Sequence, residues 1–352
     1  MDYKSRAVDV IKTYNAVTAG RIEDYVLLSK VCEYFDSIKN QNLSDADKRF
    51  LLHISSKVGV PHYYDMLQKF NQEFNSEIDE KTFDLQVISS LLFESSLYTD
   101  ENAKLHKYQK DVLNLFILDE LNRYFLSAST SFGKTHLVYE IIRKKKYQNI
   151  VLIFPTIALL SENLDRIRKN GIQKINNYKV QTLSDVDDIT SKNNIYIFTP
   201  ERFLSFIDKV DKSFKIDFLF VDEIYKIDKG LIIDGDAKEN ERDVAYRLAM
   251  FQALNRFPDS DVLLVGPYIN LYNKQSSKYK PSFDNFLMEY GIKKIDKNKY
   301  EIVKVKKADI EKEKANYHFD EIDFDFTGKK NKKDKVQEVC DKVISRNENI
   351  IV

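Results

Sequence analysis

The chain has 352 residues, more than one ordinary domain needs, so two or three units with full cores are expected. Its 43% hydrophobic and 31% charged residues, with 21 Tyr and 23 Phe, exclude a disordered chain. The formal net charge is zero, which removes global basicity as an argument for nucleic-acid binding and leaves only a local basic groove to consider.

From the N-terminus, Asp2, Lys4, Arg6, Asp9 and Lys12 interrupt the apolar core that a signal peptide requires. Apolar positions then recur at helical spacing, as in IEDYVLLSKVCEYF at 22–35 and DVLNLFILDEL at 111–121, and predict an all-α region over 1–100. Ser44 followed by Asp47 has the spacing of a capping box with Asp in place of Glu, which marks a helix start. The many Tyr and Phe of this region read as core rather than as base-stacking platforms.

Between 124 and 267 the texture changes. Six short apolar runs, YFLSA (124–128), NIVLIFP (149–155), YKVQTL (178–183), NIYIFTP (194–200), DFLFVDE (217–223) and DVLLVGP (261–267), alternate with charged amphipathic segments. That is the pattern of a parallel sheet buried on both faces, so an α/β domain is expected. Pro155, Pro200 and Pro267 fall at run ends, where a missing N–H removes no ladder bond. The most apolar window, 150–160, is too short to cross a membrane and reads as a buried strand running into a helix. Beyond about 275 the sequence turns Lys-rich and reads as a connector with a strand expected at 300–305, followed by a helical pattern at 333–345 and the strand-like NIIV at 349–352.

Cys32 and Cys340 have no C-x-x-C partner, so neither a disulfide framework nor a zinc site is indicated, and a reducing, cytoplasmic setting is expected by default. His53, His62, His106, His136 and His318 show no metal-ligand spacing; His106 alone lies near a residue of functional interest, Gln109. The basic clusters at 143–146 and 329–333 read as solvated helix ends and connector.

The sharpest chemical signal is ASTSFGKT at 128–135, between an apolar strand and a helical pattern. A phosphate-binding loop needs small residues whose backbone N–H groups approach phosphate oxygens, a Lys for the β and γ phosphates and a hydroxyl for magnesium; Gly133, Lys134 and Thr135 supply these parts, while Ala128 stands where the general pattern has its first Gly. Far downstream, LFVDE at 219–223 places Asp222 and Glu223 directly after a strand, where one carboxylate can hold the magnesium shell and the other can orient or deprotonate the attacking water.

In order and content these motifs resemble the superfamily 2 helicases and translocases of the DEAD/DEAH-box-like kind, over roughly 104–270. LHKYQ (105–109) looks like the adenine-recognising motif, with Gln109 as the base-reading amide; ASTSFGKT is similar to motif I with Ser131 for the usual Gly; FPTIALL (154–160) and FTPERF (198–203) resemble motifs Ia and Ib; VDEIY (221–225) matches motif II; LLVGPYI (263–269) takes the place of motif III. Tyr225 stands where the family name has Asp or His, Gly266-Pro267-Tyr268 replaces Ser-Ala-Thr, and Ile157 sits where many members carry Arg, so the usual link between motifs II and III does not follow from the resemblance.

The resemblance implies a RecA-like P-loop ATPase lobe, with parallel sheet flanked by helices, preceded by the all-α region: 1–100 helical, 101–275 the ATP-binding lobe, 276–352 a connector and the start of a truncated second lobe. It implies ATP and Mg2+ as cofactors, with Lys134 and Glu223 catalytic, Gln109, Thr130, Ser131, Phe132, Gly133, Lys134 and Thr135 binding nucleotide, and Thr135 and Asp222 holding the metal. Thr156, Thr199 and Arg202 would grip nucleic acid, with DNA favoured over RNA, and Thr199 has an alternative as an ordinary helix cap. The implied activity is ATP hydrolysis driving movement on, or remodelling of, single-stranded or partly duplex nucleic acid, in keeping with large helicases of bacterial anti-phage defence. Without the arginine fingers of a second lobe, hydrolysis by this stretch alone is expected to be very slow. The alternative is a nucleotide-gated switch or adaptor whose output is binding of an effector protein; no membrane partner is expected.

Overall fold

Residues 3–70, 85–100, 102–169, 178–184, 193–224, 241–266, 281–300, 302–303, 316–319, 322–325 and 331–344 are described by a computed structural model of the chain. The chain divides into two compact units, Met1–Ile302 and Val303–Val352.

The first unit opens with helices α1 (Tyr3–Thr18), α2 (Asp24–Ile38), α3 (Asp45–Lys57), α4 (His62–Phe70) and α5 (Leu85–Ser95), as the periodicity requires. In α2 the stripe Leu27, Leu28, Val31, Cys32, Phe35 and Ile38 recurs every three to four residues and is buried. Helix α3 starts where the capping box predicts: the Ser44 hydroxyl accepts from the Asp47 N–H (3.3 Å), and the Asp47 carboxylate accepts from the Ser44 N–H (3.1 Å). The apolar run at 111–121 is helical only in its first half. Helix α6 (Lys107–Leu115) stops because Phe116 turns extended and Asn122 takes over the backbone, accepting from the Ile117 N–H and donating to the Ile117 carbonyl at 2.9 Å each.

From there strands and helices alternate: β1 (Arg123–Ser127), α7 (Lys134–Lys145), β2 (Asn149–Ile153), α8 (Ile157–Lys169), β3 (Lys179–Gln181), β4 (Asn194–Phe198), α9 (Pro200–Lys209), β5 (Phe218–Val221), α10 (Glu241–Arg256), β6 (Asp261–Gly266), α11 (Pro281–Glu289) and β7 (Lys293–Asp296). The sheet order is β3-β4-β2-β5-β6-β1-β7, and every pairing is parallel. Each of the six apolar runs supplies one strand. Side chains alternate between two cores. Leu126, Leu152, Phe220 and Leu263 face a cluster shared with α7, α8 and the N-terminal helices, while Phe125, Val151, Leu219 and Leu264 face one shared with α9, α10 and α11. At roughly 1.5–3 kcal/mol for each large side chain removed from water, this double burial is the main cohesive term of the lobe. The architecture is the RecA-like one implied by the sequence, with an all-α region before it.

The seventh strand is a correction to the reading of 276 onward as connector. Lys293–Asp296 pairs with β1, whereas Tyr300, Ile302 and Val303 of the strand expected at 300–305 lie in no strand. An edge strand is held by backbone bonds to one neighbour, and lysines on such an edge discourage further pairing, so apolar content does not mark it. Lys294 also pairs with Asp284 of α11 at 2.5 Å.

In the second unit, β8 (Asn316–Phe319) and β9 (Ile322–Asp325) form an antiparallel pair and α12 (Lys332–Ile344) matches the helical pattern at 333–345. The NIIV run at 349–352 lies outside the described residues. Among the described residues no helix is long and apolar enough to cross a membrane.

Candidate nucleotide site

Strand β1 ends in buried Ser127, and the chain continues through Ala128 and Ser129, both buried, before turning back into α7. The Ala128 N–H donates to the Gly266 carbonyl at the end of β6 (3.2 Å), which fixes where the loop leaves the sheet. Thr130–Phe132 make one turn of 3₁₀ helix, with the hydroxyls of Ser129 and Ser131 3.0 Å apart and the Phe132 ring buried. Gly133 then takes the left-handed conformation (φ +77°). A Cβ at Gly133 would lie 2.5 Å from Gln109 Nε2, so the amide would have to move aside, and the left-handed backbone itself favours glycine there.

Lys134 opens α7 and folds its ammonium back onto the loop, donating to the carbonyls of Ala128 (2.9 Å) and Ser129 (2.8 Å). Burial lowers its pKa to about 8, against the opposing pull of Asp222 and Glu223. Those carboxylates stand at the tip of β5, two strands from β1 with β6 between them. Neighbouring strands hold their backbone: the Asp222 N–H donates to Ile153 of β2 and the Ile224 N–H to Val265 of β6, at 3.0 Å each. The Tyr246 hydroxyl of α10 donates to the Asp222 carbonyl, and Asp222 Oδ1 accepts from the Glu223 N–H at 2.9 Å. Glu223 itself sits at φ +52°, a left-handed backbone that costs a non-glycine residue on the order of 1 kcal/mol and that clusters at functional sites.

Gly133, Lys134, Thr135, His136, Arg166, Asp222 and Glu223 line one cavity of about 250 Å³. The loop and the acidic pair, far apart in sequence, are thus brought to one place. The donor set fits a hydrated magnesium on a phosphate: Thr135 and Asp222 offer hard oxygens, and such a site takes one or two protein ligands beside phosphate oxygens and waters.

Gln109 is buried in α6, and its amide is already engaged. Its Nε2 donates to the carbonyls of Phe132 (2.9 Å) and Gly133 (3.4 Å), and its Oε1 accepts from the His106 N–H (3.3 Å). His106 completes a capping box, its Nδ1 accepting from the Gln109 N–H (3.1 Å) while Nε2 meets the Phe132 carbonyl (3.1 Å). An accepting Nδ1 assigns the Nε2–H tautomer. Burial holds this ring neutral, with its pKa lowered to about 3. The capping role of His106 is not marked by residue type, since imidazole is an unusual cap. The same helix start is anchored to the N-terminal region: the Lys107 N–H donates to Gly59 (2.8 Å) and the Tyr108 hydroxyl to Val58 (3.0 Å).

The residues expected to touch nucleic acid occupy two helix starts. The Thr156 hydroxyl accepts from the Leu159 N–H (3.3 Å) at the start of α8; that of Thr199, which is buried, accepts from the Arg202 N–H (3.5 Å) at the start of α9. Arg202 donates to the Thr182 carbonyl at 3.1 Å. Tyr225, Pro267 and Tyr268, the departures at motifs II and III, lie outside the described residues. Arg166 and His136, in the cavity wall, belong to none of the sequence motifs; the packing of α8 places Arg166 there, and no local pattern announces it.

Residues 106–231 match the family described as DEAD/DEAH box helicase. Over that stretch, about a third of its length, the chain is similar to DEAD/DEAH box helicases. Over 228 residues it is 25% identical to Anti-bacteriophage protein B of Escherichia coli (strain K12), a match covering 64% of this chain and 28% of that protein. The chain therefore spans little more than a quarter of that relative's length. The UvsW helicase from bacteriophage T4 is a structural neighbour at 15% identity and a TM-score of 0.35, covering 67% of this chain and 77% of the other.

Proposed function

We propose that the helicase domain binds Mg-ATP in the cavity between Lys134 and the Asp222–Glu223 pair, and that hydrolysis there drives movement on, or remodelling of, nucleic acid. The observation that supports it is the meeting of the loop lysine and both carboxylates around one cavity of about 250 Å³. Bound magnesium would supply charge neutralisation at the β and γ phosphate oxygens. The chain's own contribution is preorganised: Lys134 exchanges two loop carbonyls for phosphate oxygens, the N–H groups at the start of α7 face the anion, and Thr135 and Asp222 offer the metal their oxygens. Glu223 is the group placed to orient or deprotonate the attacking water. Gln109 would reach an adenine edge by giving up its bonds to the Phe132 and Gly133 carbonyls, so that base recognition would loosen the loop.

Thr156, Thr199 and Arg202 are proposed as the strand-facing set, with single-stranded or partly duplex DNA favoured as the track and an anti-phage setting as the context. The test is stimulation. Single-stranded DNA should raise ATP turnover of the whole protein strongly, and Lys134→Ala should abolish both turnover and saturable ATP binding. Unchanged turnover with DNA and RNA alike, together with retained activity of the Lys134→Ala protein, would refute the motor. The hydrogen-bonded tie from Phe132 through His106, Lys107 and Tyr108 to Val58 and Gly59 favours a second reading, in which nucleotide state is passed to the helical region and read by an effector protein. In that case the protein partner, not DNA, would stimulate turnover.

A further inference from the structure

Arg166 lines the phosphate cavity, yet none of the motifs that carry the helicase resemblance includes it. Helices α7 and α8 cover the same core, and the Tyr139 hydroxyl of α7 donates to the Asn163 Oδ1 of α8 at 3.2 Å. That buried contact sets the rotation of α8, and residue 166, three positions on, shares the face of Asn163. Arg166 thereby lines the cavity together with Gly133, Thr135 and His136 at the start of α7. Among the described residues its ion-pair partner is Glu162, one turn back, and both side chains of the pair are 51% exposed. Such a solvated pair is weak and readily exchanged. A triphosphate terminus offers Arg166 a better partner, because a guanidinium fork binds two phosphate oxygens at once.

We propose that Arg166 is a further phosphate-binding residue of this site, parked on Glu162 when the cavity is empty and transferred to the terminal phosphate of a bound nucleoside triphosphate. This rests on the reading of the cavity as an ATP site. It gives the lobe a second cation in the cavity beside Lys134, so the site distinguishes triphosphate from diphosphate before any other lobe contributes.

The experiment is a calorimetric titration of the full chain with Mg-ATP and Mg-ADP. Arg166→Gln should weaken Mg-ATP by about tenfold or more and leave Mg-ADP within about twofold, the loss expected for one charge-assisted contact to the terminal phosphate. Glu162→Gln, which removes the parking partner, should tighten Mg-ATP by about twofold. Arg166→Lys should keep part of the ATP preference. Equal effects of Arg166→Gln on ATP and ADP would show a merely structural role and overturn the inference. So would an unchanged ATP-to-ADP ratio in a protein whose Lys134→Ala variant has lost binding, with the ATP site itself left standing. Absence of saturable nucleotide binding by the unaltered chain would overturn both.

Discussion

Lowering the pH from 7.5 to 5 should cost the first unit about 2 kcal/mol through His106 alone. In the folded chain this imidazole is buried, its Nδ1 occupied by the Gln109 N–H, and its pKa lies at about 3 instead of 6.5. Because the unfolded chain takes up the proton first as pH falls, the unfolded state binds more protons between pH 6.5 and 3, and stability is lost over that window as acid is added. At pH 5 the unfolded histidine favours its charged form by about 30 to 1 while the folded one remains neutral, and a factor of 30 is about 2 kcal/mol; at pH 7.5 the term is close to zero. Protonation of Nδ1 would also set a donor against the Gln109 N–H, opening the capping box that steadies Phe132 and the phosphate loop. The comparison protein is His106→Asn, which keeps a side-chain acceptor at the N-cap and does not titrate. Urea midpoints of both proteins at pH 7.5 and 5 isolate the term, since the other titrating groups cancel in the difference. If the two proteins lose the same stability on acidification, the imidazole is not held neutral by burial and the reasoning fails.

The remaining predictions concern the loop and one cap. With the Lys134 pKa at about 8 in the empty site and a polyanion favouring its charged form, Mg-ATP affinity should fall about tenfold from pH 7 to pH 9, read by calorimetry; a flat profile would place the ammonium in water. The sign follows from the lowered pKa: charge, and with it affinity, is lost as pH rises through 8. Gly133→Ala should cost about 1–3 kcal/mol in a denaturant titration and displace the Gln109 amide, because the added Cβ meets both a left-handed backbone and a side-chain nitrogen 2.5 Å away. Ser44→Ala should cost about 1 kcal/mol of stability and leave nucleotide binding unchanged, since it removes both hydrogen bonds of the Ser44 hydroxyl in a capping box remote from the cavity.

Features that depend on local pattern are legible in the amino-acid order. Apolar runs buried on both faces announce central parallel strands, and β1, β2, β4, β5 and β6 appear where such runs lie. The α3 start is written in Ser44 and Asp47, and the phosphate loop in the order strand, Gly133-Lys134-Thr135, helix. Other features depend on contacts between distant segments. Strand β7 exists because β1 offers it a free edge, a condition its Lys-rich residues do not encode. Helix α6 ends at Leu115 because Asn122 captures the backbone of Ile117 across the turn. Thr156 and Thr199 carry hydroxyls suited to a phosphate, but the same hydroxyls cap their own helices, and which use prevails depends on surroundings that composition does not specify. The physical reason is common to all of these: periodicity and spacing record what a segment prefers by itself, whereas the placing of Arg166 beside Lys134, or of His106 beneath Phe132, depends on how two helices pack on a twisted sheet.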